Sequence, residues 1–287
     1  MIYFYELGNC RGPDFPELVA FILFELDSML DILQLNCGWL HSPPLPPACC
    51  QCLMIREGDK ILLVDTGIGC HDIANPVERI GQEAIDAAGF RFIESVTALR
   101  QIEKMGLTAD SVTDIVLTHC DPDHVGGLSD FPNAKIHVSM DEKANLDSKN
   151  PRYRLAQFTH GPKWTLYGQN DSTILGFQSR RLRTELNVEV HIVPLFGHTL
   201  GHCGVVVEDG GTSTFHVGDA YYLRAELDDL NHPVDALATL RADDDVQRRN
   251  SLAMLRELHG RRDDSIVILG YHDTSELPVS AASMDAS

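Results

Sequence analysis

The chain has 287 residues, 44% of them hydrophobic and 23% charged, a balance that suits a globular fold and excludes disordered and collagen-like chains. Twenty-three Lys and Arg stand against 42 Asp and Glu, a formal charge of -19, so most of the surface repels a polyanionic backbone and nucleic acid is not an expected partner. No apolar run reaches the roughly 18 to 20 residues of a membrane helix: the longest, 18–26, contains Glu25 and is followed by Asp27, so no membrane partner is expected either.

In chain order, residues 1–7 carry neither a basic leader nor a small-residue cleavage site, and a cytoplasmic address is expected. A Pro-rich stretch at 43–47 reads as irregular. Of the eight cysteines, Cys49, Cys50, Cys52 and Cys70 are bunched, which predicts reduced thiols rather than a disulfide scaffold. The Cys-x-x-Cys spacing has no second pair and runs into Leu53-Met54-Ile55, so these are expected to be strand cysteines packed in the core. Short apolar runs ended by turn residues predict strands at 60–64, 114–117, 135–138, 188–193, 204–207, 214–217 and 265–269. Helical spacing covers 76–88 and 246–259, the latter closed by Gly260. It also covers 92–105, where Ile93, Val96, Leu99, Ile102 and Met105 form one stripe.

Residues 143–183 stand out by charge, with eight Lys and Arg against two acids, Asp147 and Asp171, and with Tyr153, Phe158, Trp164, Tyr167 and Phe177 interleaved. They read as a basic, aromatic insertion that covers a site or contacts a partner; if it covers a site, Arg180, Arg181 and Arg183 are its candidate substrate contacts. The tail at 278–287 is small and polar and is expected to fray. Helices are interspersed among more numerous strands, so an α/β chain with mixed sheets fits better than a doubly wound parallel sheet. No repeat or linker divides it, and a single domain over 1–287, with its core at about 52–275, is the expectation.

The chemistry is concentrated in Thr118-His119-Cys120-Asp121-Pro122-Asp123-His124-Val125-Gly126-Gly127, directly after an apolar strand. Two imidazoles and two carboxylates in six residues need a compensating cation if they converge. These four groups could close one site, but their placement on two sides of a turn suits two adjacent metals better.

The pattern resembles the metallo-β-lactamase superfamily, whose His-x-His-x-Asp-His ends a strand and precedes Gly-Gly. Leu62-Leu63-Val64-Asp65-Thr66-Gly67, Phe196-Gly197-His198-Thr199, Gly218-Asp219-Ala220 and Leu269-Gly270-Tyr271-His272 are similar to the family's other motifs, in order. The resemblance implies a four-layer αβ/βα sandwich of two mixed sheets with a dinuclear site at one edge. His119, Asp121 and His198 would hold a first metal, Asp123, His124 and His272 a second, and Asp219 would bridge. A hydroxide between the ions would be the nucleophile. Tyr222, three residues after Asp219, matches a tyrosine of the lactonase branch that donates to the substrate carbonyl, so Asp219, Tyr222 and Asp123 are the catalytic candidates.

Asp121 departs from the family, which has a second histidine there. Two divalent ions would then face three carboxylates and a hydroxide, a neutral rather than a singly positive centre. Zinc is the expected pair of ions, with iron or manganese favoured to the extent that Asp121 is a hard oxygen ligand. The leading expectation is a metal-dependent hydrolase of an ester-type bond, a lactone or other carboxylic ester, acting on a small-molecule substrate. The alternatives are a non-haem diiron oxidoreductase of the same fold and a non-catalytic ligand-binding homologue; a homodimer stays open. Asp65 reads equally as a turn cap or as support for the ligands. His202, His137, His191 and His216 read as structural, and Cys120 as pointing away from the metals.

Overall fold

The computed structural model describes residues 30–281. Residues 1–29 and 282–287 lie outside it, and with them the readings for 1–7, for 18–26 and for most of the tail. In chain order the strands are β1 Leu30–Leu40, β2 Ala48–Glu57, β3 Lys60–Val64, β4 Phe90–Arg91, β5 Val112–Val116, β6 Lys135–Ser139, β7 Lys163–Tyr167, β8 Ser172–Ile174, β9 Phe177–Arg181, β10 Glu189–Pro194, β11 Cys203–Asp209, β12 Thr212–His216 and β13 Ile266–Leu269. One sheet runs β4-β1-β2-β3-β5-β6-β7 and the other β13-β12-β11-β10-β9-β8. Both are mixed, because β3, β5, β6 and β7 pair in parallel in the first and β12 with β13 in the second, while the remaining pairs are antiparallel.

Alternation along the strands sorts the apolar residues into layers. Leu53, Ile55, Leu62, Val64 and Val116 of the first sheet meet Val190, Ile192, Val205, Val207 and Leu269 of the second, forming the core between the sheets. Their neighbours Met54, Ile61, Leu63, Ile115 and Ile136 turn to the outer face with Ile80 and Ile102. On the opposite side Val193, Val206, Phe215 and Val217 pack on Leu252, Leu255 and Leu258 of the helix Asp245–Gly260. Strands covered on both faces read as continuous apolar runs, which is why all seven sequence-predicted strands are present. Cys49, Cys50 and Cys52 are fully buried, unpaired residues of β2.

Two predicted helices are broken. The 76–88 segment divides into Pro76–Arg79 and Gln82–Ala88, separated by Gly81 at φ +89, which no continuing helix allows. Residues 92–105 divide into a 3-10 turn, Glu94–Val96, and a helix, Ala98–Lys104, because the Thr97 side chain caps the latter by accepting from Arg100 N at 3.3 Å. The apolar stripe is shared accordingly: Ile93 and Val96 pack with Trp39 and Leu277, Ile102 joins the first outer layer, and Met105 is 40% exposed.

The basic segment is woven into both sheets, giving edge strand β7 to the first and β8 and β9 to the second. Its charges meet acids inside and outside it: Lys143 pairs with Asp147, Arg180 with Asp141 at 3.3 Å and Arg181 with Glu189 at 3.4 Å. Among the described residues no helix is long and apolar enough to cross a membrane.

Candidate metal centre

The loops after β5, β10, β12 and β13 meet at one end of the two sheets. The first turns sharply into the short helix Pro122–Val125, with Pro122 at its first position and the Asp121 backbone carbonyl accepting from His124 N and Val125 N at 3.0 and 3.2 Å. That turn places His119 and Asp121 before the helix and Asp123 and His124 within it. Gly126 follows where only a glycine fits, since a Cβ there would overlap Asp72 Oδ2. Gly218, at φ +53, brings Asp219 into the site, and a Cβ on it would lie 2.7 Å from His202 Nε2.

The seven predicted residues come together in three overlapping groups, His119/Asp121/His198, His119/His124/Asp219 and Asp123/His124/His272, each with ligand atoms within 4.8 Å of one another. In the first, Asp121 Oδ2 lies 3.5 Å from His119 Nε2 and 3.2 Å from His198 Nε2. Asp219 lies between the sites, 3.4 Å from His198 Nε2, 3.3 Å from His124 Nε2 and 3.2 Å from His272 Nε2. Asp123 Oδ2 is 3.9 Å from His124 Nε2 and 3.7 Å from His272 Nε2.

Two ligands about 2.1 Å from one tetrahedral ion are separated by roughly 3.4 Å, so most of these spacings suit shared ions. The buried atoms His119 Nε2, His124 Nε2 and Asp219 Oδ1 have no hydrogen-bond partner. Orphaned lone pairs facing one another are costly without a cation, so the residues fit divalent metals. Burial, and then the neighbouring His124, lowers the His119 imidazole well below its ordinary range and keeps it a neutral donor of its lone pair.

A second ring of groups orients the first. Asp65 Oδ2 accepts from His124 Nδ1 at 2.8 Å, and Thr118 donates to both Asp65 oxygens, from N at 2.8 Å and from Oγ1 at 2.7 Å. His272 Nδ1 meets the Cys49 carbonyl at 2.9 Å. His202, read as structural, does more. Its Nδ1 donates to the Leu195 carbonyl at 2.9 Å, which leaves Nε2 to accept from Asp219 N at 3.0 Å. Burial pushes that imidazole down to about 3, consistent with the neutral tautomer. Glu142 ties two ligand loops together by accepting from Cys120 N, Tyr153 OH and Thr199 Oγ1 at 2.8, 2.8 and 2.6 Å. His137, His191 and His216 have partners elsewhere, and Cys120 is buried in the outer core.

Asp121 is not the uncompensated carboxylate that a neutral centre requires. Arg152 forks it, Nε to Oδ1 and Nη2 to Oδ2, both at 2.7 Å. Burial raises the Asp121 carboxyl, but the guanidinium outweighs it and holds the group well below the usual carboxylate range. Sequence reasoning saw Arg152 only as one of the basic residues of 143–183; no local pattern pairs it with a carboxylate 31 positions away. Tyr222 is 9% exposed, its ring 6.0 Å from that of His198 and 5.5 Å from that of His272.

The family model of the Metallo-beta-lactamase superfamily matches residues 47–268. Two relatives named "Probable metallo-hydrolase", from Mycobacterium bovis and Mycobacterium tuberculosis, are each 36% identical over 275 residues, covering 92% of this chain and 87% of the relative. Among solved structures, an N-acyl homoserine lactone hydrolase with N-hexanoyl-L-homoserine at its catalytic metal center superposes with a TM-score of 0.62 at 17% identity, covering 85% of this chain and 92% of that one. A dizinc quorum-quenching lactonase superposes with a TM-score of 0.58 at 18% identity, covering 86% and 88%. At those identities the structures establish a shared fold.

Proposed function

Since the chain belongs to the metallo-β-lactamase superfamily, we propose that it is a metal-dependent hydrolase that opens an ester-type bond of a small molecule, with lactones as the substrate class. The observation that carries this reading is the convergence of seven ligand-type side chains, with His119 Nε2, His124 Nε2 and Asp219 Oδ1 buried among them without a hydrogen-bond partner. We assign His119, Asp121 and His198 to one ion, Asp123, His124 and His272 to a second and Asp219 to both, with zinc as the metal. Divalent ions at such a site supply Lewis-acid polarisation of a carbonyl and a nucleophile from water at neutral pH.

The protein's own groups do the rest. Asp219 sits between the two sets of imidazoles with its backbone N–H tied to His202, so its carboxylate is oriented before any ligand arrives. Asp123 faces the His124 and His272 side. Burial raises the Tyr222 phenol well above its ordinary range, so it stays protonated and able to donate to a carbonyl oxygen that gains charge. The two lactonases that share the fold support the lactone class. The Arg152 fork compensates the charge that Asp121 adds, which leaves the hard oxygen of Asp121 as the feature that favours iron or manganese over zinc.

The test is turnover by zinc-loaded protein of a panel of aliphatic lactones and open-chain esters. Hydrolysis that disappears in Asp219→Asn and on chelation is expected. A metal-replete protein inert toward the whole panel would sink the proposal.

A further inference from the structure

Arg152 has more contacts than a surface arginine of a basic segment needs. Besides forking Asp121, its Nη1 donates to the His198 carbonyl at 2.8 Å, to the Arg241 carbonyl at 3.1 Å and to Asp243 Oδ1 at 2.9 Å. Its Nη2 lies 3.1 Å from His198 Nε2. The side chain is only 9% exposed. One guanidinium therefore bridges the loop carrying Asp121 and the loop carrying His198.

We propose that Asp121 and Arg152 act as one ligand unit in place of a histidine, the carboxylate supplying the donor atom to the first ion and the guanidinium cancelling the charge that the carboxylate adds. The inference rests on the metal-site reading above. With Asp121, Asp123 and Asp219 the ligand set carries three negative charges, and Arg152 returns it to two, the value a neutral imidazole at position 121 would leave. Asp243 does not undo this. It is 18% exposed on its side chain and shares its other oxygen with the amides of Asn145 and Asn150 at 2.9 and 3.2 Å, whereas Asp121 is 5% exposed and gives both oxygens to the fork.

Asp121→His by itself therefore does not give the centre that the family's histidine gives. Restoring the family's residue alone removes the bidentate partner of a buried guanidinium and leaves its positive charge, held by Asp243 through Nη1, beside the first ion site, where a neutral imidazole cannot pair with it.

The experiment counts zinc ions per chain after dialysis of zinc-loaded protein, with circular dichroism melting to confirm folding. Wild-type protein should hold two ions and Asp121→His one. Asp121→His combined with Arg152→Gln should hold two again. Arg152→Gln alone, which leaves one more net negative charge at the site, should retain its zinc against a chelator about tenfold more tightly than wild type. Asp121→His holding two ions as firmly as wild type would overturn the proposal. So would one ion per wild-type chain, since the guanidinium would then take an ion's place. If Asp121→His does not fold, the chelator comparison decides, and retention by Arg152→Gln that is equal to or weaker than that of wild type overturns the idea. Ions are counted, not turnover, so a failure of the lactone assignment leaves this result readable.

Discussion

His124 Nδ1 lies 2.8 Å from Asp65 Oδ2, a contact spanning 59 positions that joins the loop after β3 to the loop after β5. Asp65 sits at φ +57, where Asp, Asn and Gly are the tolerated residues, so Asp65→Asn keeps the backbone and removes the carboxylate. A less basic partner leaves the imidazole a poorer ligand, and groups in this position are worth about 10- to 100-fold in metal affinity. Titration of the variant against a chelating indicator should show zinc binding weakened by that factor. An unchanged affinity would leave Asp65 as a turn residue.

Tyr222 lies against the rings of both His198 and His272. If its hydroxyl donates to the carbonyl oxygen in the transition state, Tyr222→Phe should lower kcat for lactones by about 100-fold with little change in KM, the pattern of a lost oxyanion donor. Equal kcat values for the two proteins would reduce Tyr222 to a packing residue.

Asp72 offers a pH-dependent stability signature. Burial pushes its carboxyl from 3.8 up to about 6, although Arg79 pairs with it at 2.6 Å. A carboxyl raised on folding binds its proton more tightly in the native than in the unfolded chain, so stability falls as pH rises from about 4 to 6. The shift corresponds to about 3 kcal/mol across that window. Melting temperatures of wild type relative to Asp72→Asn should decline between pH 4 and pH 6 and level off above it. A flat difference would mean that Asp72 is ionised throughout.

Two of the three arginines that sequence reading offered as substrate contacts, Arg180 and Arg181, pair with acids. Arg180 is 5% exposed and pairs with Asp141, while Arg181 pairs with Glu189 across exposed side chains. Arg181→Gln with Arg183→Gln should therefore leave kcat/KM for any lactone unchanged, since exposed pairs of this kind contribute only about 0 to 1 kcal/mol even to stability. A KM that rises and depends on salt would restore these arginines to substrate binding.

The sequence determined those features whose signal is local. His119, Asp121, Asp123 and His124 share one strand-end turn that reads as a metal site by itself, while His198, Asp219 and His272, each after an apolar run, joined the candidate ligands through the resemblance to the superfamily's ordered motifs. Strands buried on both faces announce themselves as unbroken apolar stretches. β1 does not, because Gln34, Asn36 and Gly38 interrupt it. Only the tertiary structure decided what depends on contacts between distant segments. The stripe at 92–105 looks continuous until Thr97 caps the chain and divides it between two cores. His202 looks idle until the chain reversal through β11 and β12 sets the Asp219 amide against it. Arg152 is one basic residue among eight until the fold brings its guanidinium to Asp121. A hydrogen bond or ion pair across such sequence separations leaves no period and no motif in either segment, because it is selected by the spatial meeting of two side chains and by the cost of burying either one alone.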